Sequence, residues 1–319
     1  MQEHNSIKQE ILQDKKNGKE QPWQPKKVRS LMLADSFKRL GLDHKAQRVR
    51  FCGSTLGFLR MLETGEKTLA MANFCRERLC PMCSWRKSLK VFHQTSLVMD
   101  KVQQEHKDLV PLFLTLTLRN CEGQDLSLTL DLIFQGWNRL MAHRKTKRII
   151  NGWMRSLEVT YNKESDTFHP HVHAIILVEK GYFKGKDYME TNEWVKMWQT
   201  ALKLEYEPIC DIRKVKNKGN YKSVAEIAKY TLKDTEYITN DEKLTDKLVD
   251  VLGNALRGRR LYAFGGVMKK AAKELEIENP EDGNLVNIDE QKIRDDVATV
   301  LEIYNWNFGM ANYVRAGNQ

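Results

Sequence analysis

The segment Phe168-His169-Pro170-His171-Val172-His173-Ala174-Ile175-Ile176-Leu177-Val178 decides how the rest of the chain is interpreted. Three histidines occupy alternate positions, and an unbroken apolar run follows them, which is typical of a buried strand. Side chains two residues apart on a strand point to the same face. We therefore expect His171 and His173 to project together into one site, and paired imidazoles are a good beginning for a metal site.

A carboxylate that completes such a site is predicted from the preceding strand. Residues 156–161 form a short strand pattern, and the polar, turn-rich residues 162–167 connect it to the histidine strand. A symmetric hairpin that sets Glu158 opposite His171 places Glu158 on the face that both histidines share. A slip of one residue would turn Glu158 to the other face, where it would be an ordinary polar residue on a half-exposed strand.

Composition limits the function classes. The chain has 319 residues, 41% of them hydrophobic, and a formal net charge of +10. This balance favours a polyanionic partner, either nucleic acid or a membrane surface. There is no apolar run near the roughly 18 residues of a membrane span and no segment resembling a signal peptide, so we expect a cytoplasmic protein without a membrane partner. Clustered cysteines in that compartment indicate a metal rather than disulfides.

Four cysteines lie close together with the spacing C-x22-C-x4-C-x2-C. They are Cys52, Cys75, Cys80 and Cys83, and the last two form a tight knuckle of the kind that tetrahedral zinc requires. The pattern predicts structural Zn²⁺, with His44 as a substitute for one cysteine. Buried thiols without a metal are the alternative.

Basic residues concentrate in several segments. Residues 139–155 include six Lys or Arg, no acidic residue and Trp153, a combination that suits nucleic acid. The residues predicted to bind DNA are Arg144, Lys145, Lys147, Arg148, Arg213, Lys214, Lys216, Arg259 and Arg260.

A helix is predicted to begin at Ser223, with Glu226 in the capping-box position. Glu226, Tyr230 and Lys233 lie on one helical stripe, and Lys229 is adjacent to it. A tyrosine beside a cation is biased toward the nucleophilic phenolate, and a nearby carboxylate can act as a base. On this segment alone, capping by Glu226 and packing by Tyr230 remain the favoured roles.

The motifs together resemble one family. Phe113-Leu114-Thr115-Leu116-Thr117-Leu118, then His171-Val172-His173, then a helical Tyr230 with a downstream lysine resemble the HUH endonucleases. The likeness is strongest to rolling-circle plasmid replication initiators of the single-tyrosine type, in which a glutamate precedes the tyrosine by four residues, as Glu226 does. It covers about residues 45–270.

The resemblance implies an α+β fold, in which helices pack on a mainly antiparallel sheet. It also implies that His171 and His173 hold Mg²⁺ or Mn²⁺. The third ligand varies in the family, so Glu158 rests on the hairpin argument, and His169 is its competitor. The expected organisation is a mobile basic tail (1–30), a helical four-cysteine module (31–105), a nickase domain (106–275), and an acidic linker with a closing segment (276–319).

The function implied by the resemblance is initiation of plasmid replication by nicking single-stranded origin DNA. Tyr230 would form a 5′-phosphotyrosyl link and release a 3′-OH primer, Glu226 would activate water for the terminating cut, and Lys229 or Lys233 would steady phosphate charge. Expected partners are the origin hairpin with its flanking duplex, and a host helicase and polymerase. The alternatives are a non-catalytic zinc-containing DNA-binding regulator, and a relaxase or transposase of the same superfamily.

Overall fold

The computed structural model describes residues 10–215, 224, 233–279, 281–288 and 298–316. Contacts divide the chain into two compact units, Met1–Arg86 with Asn284–Gln319, and Lys87–Gly283. The fold is α+β, with antiparallel sheets and packed helices, which confirms the predicted class. None of the helices in these ranges combines the length and the apolar character needed to cross a membrane.

The strands in chain order are β1 (Lys15–Lys16), β2 (Lys19–Glu20), β3 (Thr55–Met61), β4 (Lys67–Ala72), β5 (Leu109–Thr117), β6 (Gly152–Asn162), β7 (Thr167–Glu179), β8 (Cys210–Lys214), β9 (Tyr262–Gly265), β10 (Thr299–Asn307) and β11 (Asn312–Arg315). The α-helices are α1 (Trp23–Arg39), α2 (Asp43–Arg50), α3 (Pro81–Glu105), α4 (Leu126–Ala142), α5 (Arg144–Ile149), α6 (Thr191–Leu202), α7 (Asp234–Tyr237), α8 (Glu242–Ala255) and α9 (Gly266–Glu274).

The first unit begins with regular structure in a range that was predicted to be a mobile tail. Trp23 opens α1 and is only 3% exposed. Its ring packs edge-on against Trp85 and Phe58, with centroid distances of 4.6 and 5.7 Å, and its Nε1–H donates to Asp14 at 2.7 Å. Burial of an indole with a satisfied N–H offsets the entropy of ordering this segment, so the predicted tail is wrong for residues 10–30.

The sheet of the first unit has the order β11-β10-β3-β4, and all neighbours are antiparallel. Two of its strands lie in the module that was expected to be helical. Strand β10 lies in the C-terminal closing segment and pairs with β3, setting Ile303 opposite Gly57. This unit therefore combines segments from the two ends of the chain, and the sequence patterns did not predict that pairing.

The second unit contains a five-stranded antiparallel sheet with the order β8-β5-β7-β6-β9. The central strand is β7, whose residues 174–178 are at most 2% exposed. On one face Trp137 of α4 packs edge-on against Trp153 of β6 at 5.1 Å. Trp198 of α6 donates from Nε1 to the carbonyl of Thr117 at 2.9 Å. His171 and His173 project from the opposite face of the sheet, which they share with the buried side chains of Met154 and Ile175.

Candidate metal centre

The hairpin formed by β6 and β7 has the predicted register. Glu158 pairs with His171, and Ser156 pairs with His173. The turn between the strands is stabilised by the side-chain oxygen of Asn162, which accepts hydrogen bonds from two main-chain N–H groups of the turn. Because side chains alternate along a strand, this register places Glu158, His171 and His173 on the face opposite Trp153.

The three side chains converge on a single point. Glu158 Oε2 lies 3.3 Å from His171 Nε2 and 3.0 Å from His173 Nε2. Their ligating atoms all lie within 4.8 Å of one another, which qualifies them as a group that can hold a metal ion. Glu158 and His173 are buried, and His171 is half-buried, so the cluster is partly shielded from water but remains accessible.

Neighbouring groups orient both imidazoles. His171 Nδ1 lies 3.2 Å from the main-chain oxygen of His169, and His173 Nδ1 shares a hydrogen bond with Thr115 Oγ1 at 3.1 Å. With Nδ1 engaged, each ring turns Nε2 toward Glu158. Such outer hydrogen bonds are typical of metal-binding histidines, since they fix the ring and its tautomer.

The electrostatics of the cluster keep the carboxylate ionised. Burial raises the pKa of Glu158, but hydrogen bonds and charge from His171 and His173 outweigh burial and hold that pKa well below its usual range. Two imidazole nitrogens and one carboxylate suit Mn²⁺ and tolerate Mg²⁺. The residues therefore fit a divalent cation, with Glu158 as the carboxylate.

His169, the competing third ligand, is not part of this cluster. Its ring lies 5.3 Å from that of His171, and burial, followed by the charge of His171, lowers its pKa. Its Nε2 is buried and has no hydrogen-bond partner among the described residues. The hairpin geometry thus favours Glu158 over His169 as the residue that reaches both histidines.

The predicted catalytic helix lies largely outside the described residues. This applies to Glu226, Lys229 and Tyr230, and their roles remain predictions. Lys233 is described, is exposed, and lies 3.4 Å from Glu236 in an ion pair.

The residues predicted to bind DNA occupy different surroundings. Lys145 and Arg148 of α5 form ion pairs with Glu193 and Asp187, respectively. The other residues of the set that are exposed are Arg144, Lys147, Arg213, Lys214 and Arg260. Arg259 is more enclosed, since its guanidinium pairs with Asp131 and donates to Ser127 at 2.9 Å. Lys216 lies outside the described residues, so DNA contacts by this set stay predictions.

The four cysteines of the first unit form a compact, buried cluster. Cys52 Sγ lies 3.5 Å from Cys83 Sγ and 3.6 Å from Cys80 Sγ, and Cys75 Sγ lies 3.7 Å from Cys83 Sγ. Four sulfurs bound tetrahedrally at about 2.3 Å from Zn²⁺ would lie roughly 3.8 Å apart. The cluster therefore fits a tetrahedral ion, whereas His44 is exposed on α2.

Main-chain N–H groups and a buried lysine ammonium around this cluster stabilise ionised cysteine thiols. The main-chain N–H of Arg76 points to Cys83 Sγ at 3.2 Å, and that of Cys75 points to Cys52 Sγ at 3.3 Å. The buried ammonium of Lys27 donates to the Cys52 carbonyl at 2.8 Å. Burial lowers the pKa of Lys27 to about 8, and the nearby thiols act in the opposite direction. These donors favour negatively charged sulfur, the form that binds zinc.

Two supporting residues were not among the candidates from the sequence. Thr115 orients His173, and the alternating threonines of β5 were the signal that could have indicated it. Lys27 contacts the main chain of the cysteine cluster, although it lies within the residues that were predicted to form a mobile tail. No local pattern distinguishes a buried lysine of this kind from an exposed one.

The antiparallel sheet with its His-x-His pair and carboxylate, together with the four-cysteine cluster, makes this an α+β protein with two candidate metal sites. A family model described as "Replication protein" matches residues 66–314. The chain belongs to this replication protein family, and the resemblance to rolling-circle plasmid replication proteins is confirmed.

Curated relatives cover most of the chain. A "Protein rep" of Bacillus amyloliquefaciens is 37% identical and covers 95% of this chain and 97% of the relative. A "Protein rep" of Streptococcus pneumoniae serotype 2 (strain D39) is 38% identical and covers 95% of both chains. A "Protein rep" of Lentilactobacillus hilgardii is 34% identical over 96% of this chain and 99% of the relative. No solved structure matched the chain.

Proposed function

We propose that this protein initiates plasmid replication by nicking the double-strand origin. The observation that carries the proposal is the convergence of Glu158, His171 and His173 on one face of the five-stranded sheet of the second unit. Membership of the replication protein family and the net charge of +10 support a DNA substrate. Origin DNA reaches this face as an extruded single strand, with flanking duplex held by the basic surfaces.

The three residues would hold Mg²⁺ or Mn²⁺, which supplies Lewis-acid polarisation of a phosphate oxygen. Tyr230, a residue assigned from sequence, attacks the phosphorus with its phenolate oxygen. The bond from phosphorus to the 3′-oxygen breaks, a 5′-phosphotyrosyl bond forms, and the 3′-oxygen takes up a proton as the primer hydroxyl. Host polymerase extends that hydroxyl while a host helicase separates the strands in the cytoplasm.

Termination requires a second cut at the regenerated site. Glu226 takes a proton from water as the water oxygen attacks the phosphorus, the bond from phosphorus to the 3′-oxygen breaks, and that oxygen takes up a proton, so that no second covalent link forms. Lys229 or Lys233 stabilises charge on the phosphate. The four-cysteine cluster would bind zinc and so stabilise the fold of the N-terminal region. The proposed four-cysteine module spans residues 31–105, and the proposed nickase domain spans residues 106–275.

The decisive experiment is a covalent-trapping assay. Wild-type protein and Tyr230→Phe are incubated with 5′- and 3′-labelled origin single strands and Mn²⁺, and then run on denaturing gels. The wild type should carry the label that lies 3′ of the cut, and Tyr230→Phe should carry none while retaining duplex origin binding. A protein that binds the origin but forms no adduct with any strand would instead be a non-catalytic regulator. An adduct that persists in Tyr230→Phe would assign the nucleophile to another tyrosine.

A further inference from the structure

An arginine stacked on an aromatic ring lies just beyond the strand that supports the metal centre. Arg119 follows the end of β5 by two residues, and its guanidinium carbon lies 3.9 Å from the centre of the Tyr206 ring. The main-chain N–H of Arg119 donates to the Tyr206 hydroxyl at 3.1 Å. Tyr206 therefore holds Arg119 at both the backbone and the head group.

The loop that carries Arg119 is anchored on its other side as well. Asn120 Nδ2 donates to Thr167 Oγ1 at 2.9 Å. The main chain of Cys121 exchanges two hydrogen bonds with that of Phe168, at 2.9 and 2.8 Å. Because these contacts already fix the loop beside the start of β7, little conformational entropy is left to lose when a ligand binds.

The position of Arg119 relates directly to the metal centre. Thr117, the last residue of β5, pairs with His171. Arg119 is only two residues beyond Thr117, so its main chain lies within about 7 Å of that pair. An arginine at that distance reaches a phosphate roughly one or two nucleotides from one bound at the metal centre.

The charge of Arg119 is not neutralised within the part of the chain that the structure describes. Arg148 and Arg259 form ion pairs with Asp187 and Asp131, but no described carboxylate forms an ion pair with Arg119. Its side chain is exposed. A guanidinium stacked by its face keeps its N–H edges available, and those edges match two oxygens of a phosphate.

We propose that Arg119, held by Tyr206, binds a backbone phosphate of the cleaved single strand next to the scissile phosphate. This assignment rests on the proposed nicking function for its substrate. It makes the Arg119–Tyr206 pair a positioning device, which fixes the register of the strand relative to Glu158, His171 and His173.

The test combines a protein variant with neutralised DNA phosphates. Binding of a fluorescein-labelled single strand from the origin is measured by anisotropy in buffer without added divalent ions, so that no cleavage is needed. Each phosphate is replaced in turn by an uncharged methylphosphonate, for the wild type and for Arg119→Gln. We expect that a methylphosphonate at one position, adjacent to the nick, weakens DNA binding by the wild type. The same replacement should not weaken binding by Arg119→Gln any further. The variant should also lower the salt slope, log Kd against log salt, by roughly 0.7.

Four variants serve as controls. Arg257→Gln removes one exposed arginine on another element and should keep the full methylphosphonate pattern. Arg119→Lys retains the charge but loses the planar, two-pronged guanidinium. It should therefore keep the salt slope of DNA binding, but the phosphate adjacent to the nick should contribute less to its affinity. Tyr206→Phe retains the ring and should resemble the wild type more than Tyr206→Ala does.

The outcomes separate this proposal from the nicking function. An unchanged methylphosphonate pattern in Arg119→Gln overturns the phosphate contact, even if the wild type nicks DNA. The same comparison is made with single strands in which one base at a time is removed. If base removal, but no methylphosphonate, affects the wild type and Arg119→Gln differently, Arg119 stacks on a base and the proposal is overturned. A phosphate coupling in a protein that forms no tyrosyl adduct would support the Arg119 contact and refute the nicking function.

Discussion

Glu158 Oε2 lies 3.0 Å from His173 Nε2, although fifteen residues separate the two along the chain. The contact exists because β6 and β7 pair with Glu158 opposite His171, which leaves Glu158 next to His173 on the same face. Shifting the hairpin by one residue would turn the carboxylate to the face of Trp153. The candidate metal centre is therefore a direct consequence of strand register.

Replacing Glu158 with glutamine should weaken divalent-ion binding. The amide preserves shape but removes the negative charge beside His171 and His173, so we expect the Mn²⁺ concentration for half-maximal nicking to rise by at least about tenfold. Mn²⁺ binding followed by electron paramagnetic resonance should show the same loss without DNA. His169→Ala is the matched control, and an effect confined to that variant would make His169 the third ligand.

The cysteine cluster should hold about one Zn²⁺ per chain, independently of the Glu158 centre. Cys83→Ser removes a sulfur within 3.7 Å of two others, so it should abolish zinc in elemental analysis and destabilise the first unit. Cys210→Ser is the control, because Cys210 is a buried cysteine outside the cluster. A protein purified without chelator that contains no zinc would contradict the assignment.

Glu226→Gln should separate the two cuts. Glutamine also serves in a capping box, so a purely structural Glu226 would tolerate it. If Glu226 is the base for hydrolysis, initiation through Tyr230 survives and termination fails. Glu226→Tyr should cut at termination but remain covalently attached. The ratio of initiation to termination products on a plasmid with two origins measures this, and equal loss of both in Glu226→Gln would make the residue structural.

Sequence patterns predicted the second unit better than the first. The alternating histidine and apolar residues of β7 indicate which side chains of the strand share a face. A hairpin with a short turn has few possible registers. The pairing of Glu158 with His171 could therefore be predicted from residues close together in sequence. Trp194 and Trp198, on the apolar side of α6, are both fully buried. The cysteine knuckle was recognisable because zinc demands closely spaced thiolates.

The first unit depends on contacts between distant parts of the chain. Trp23 becomes ordered through Phe58 and Trp85, and β3 finds its partner in β10, more than two hundred residues away. Local composition around Trp23 is polar and lysine-rich, which is typical of a tail, so no pattern before residue 31 predicted that helix α1 begins at Trp23. Pairings of this kind become visible only in the folded chain.

The β3–β10 pairing encloses a carboxylate that should make stability depend on pH. Glu302 is 2% exposed, and its oxygens lie 2.7 Å from Arg60 Nε and 3.0 Å from both Lys67 Nζ and the Tyr304 hydroxyl. Burial raises the pKa of Glu302, but its hydrogen bonds with Arg60, Lys67 and Tyr304 prevail and lower that pKa to about 2.

Because the pKa is lower in the folded state, the unfolded chain binds the proton more tightly. The stabilisation by Glu302 is therefore complete above about pH 5.5 and is lost as the pH falls from about 4.5 toward about 2. A shift of this size corresponds to roughly 3 kcal/mol of unfolding free energy. Glu302→Gln should remove that amount near neutral pH, and the difference from the wild type should shrink as the solution is acidified.

Urea unfolding of both proteins at several pH values measures the difference, and comparison at each pH cancels the effects of other titrating groups, including the cysteines. Glu63→Gln, at an exposed glutamate of the same unit, should change stability little at any pH. If the difference between the wild type and Glu302→Gln stays constant down to about pH 3, the ionised carboxylate is not the source of the stabilisation. A packing role for the Glu302 side chain would then account for the loss, because glutamine and glutamate would differ equally in both protonation states.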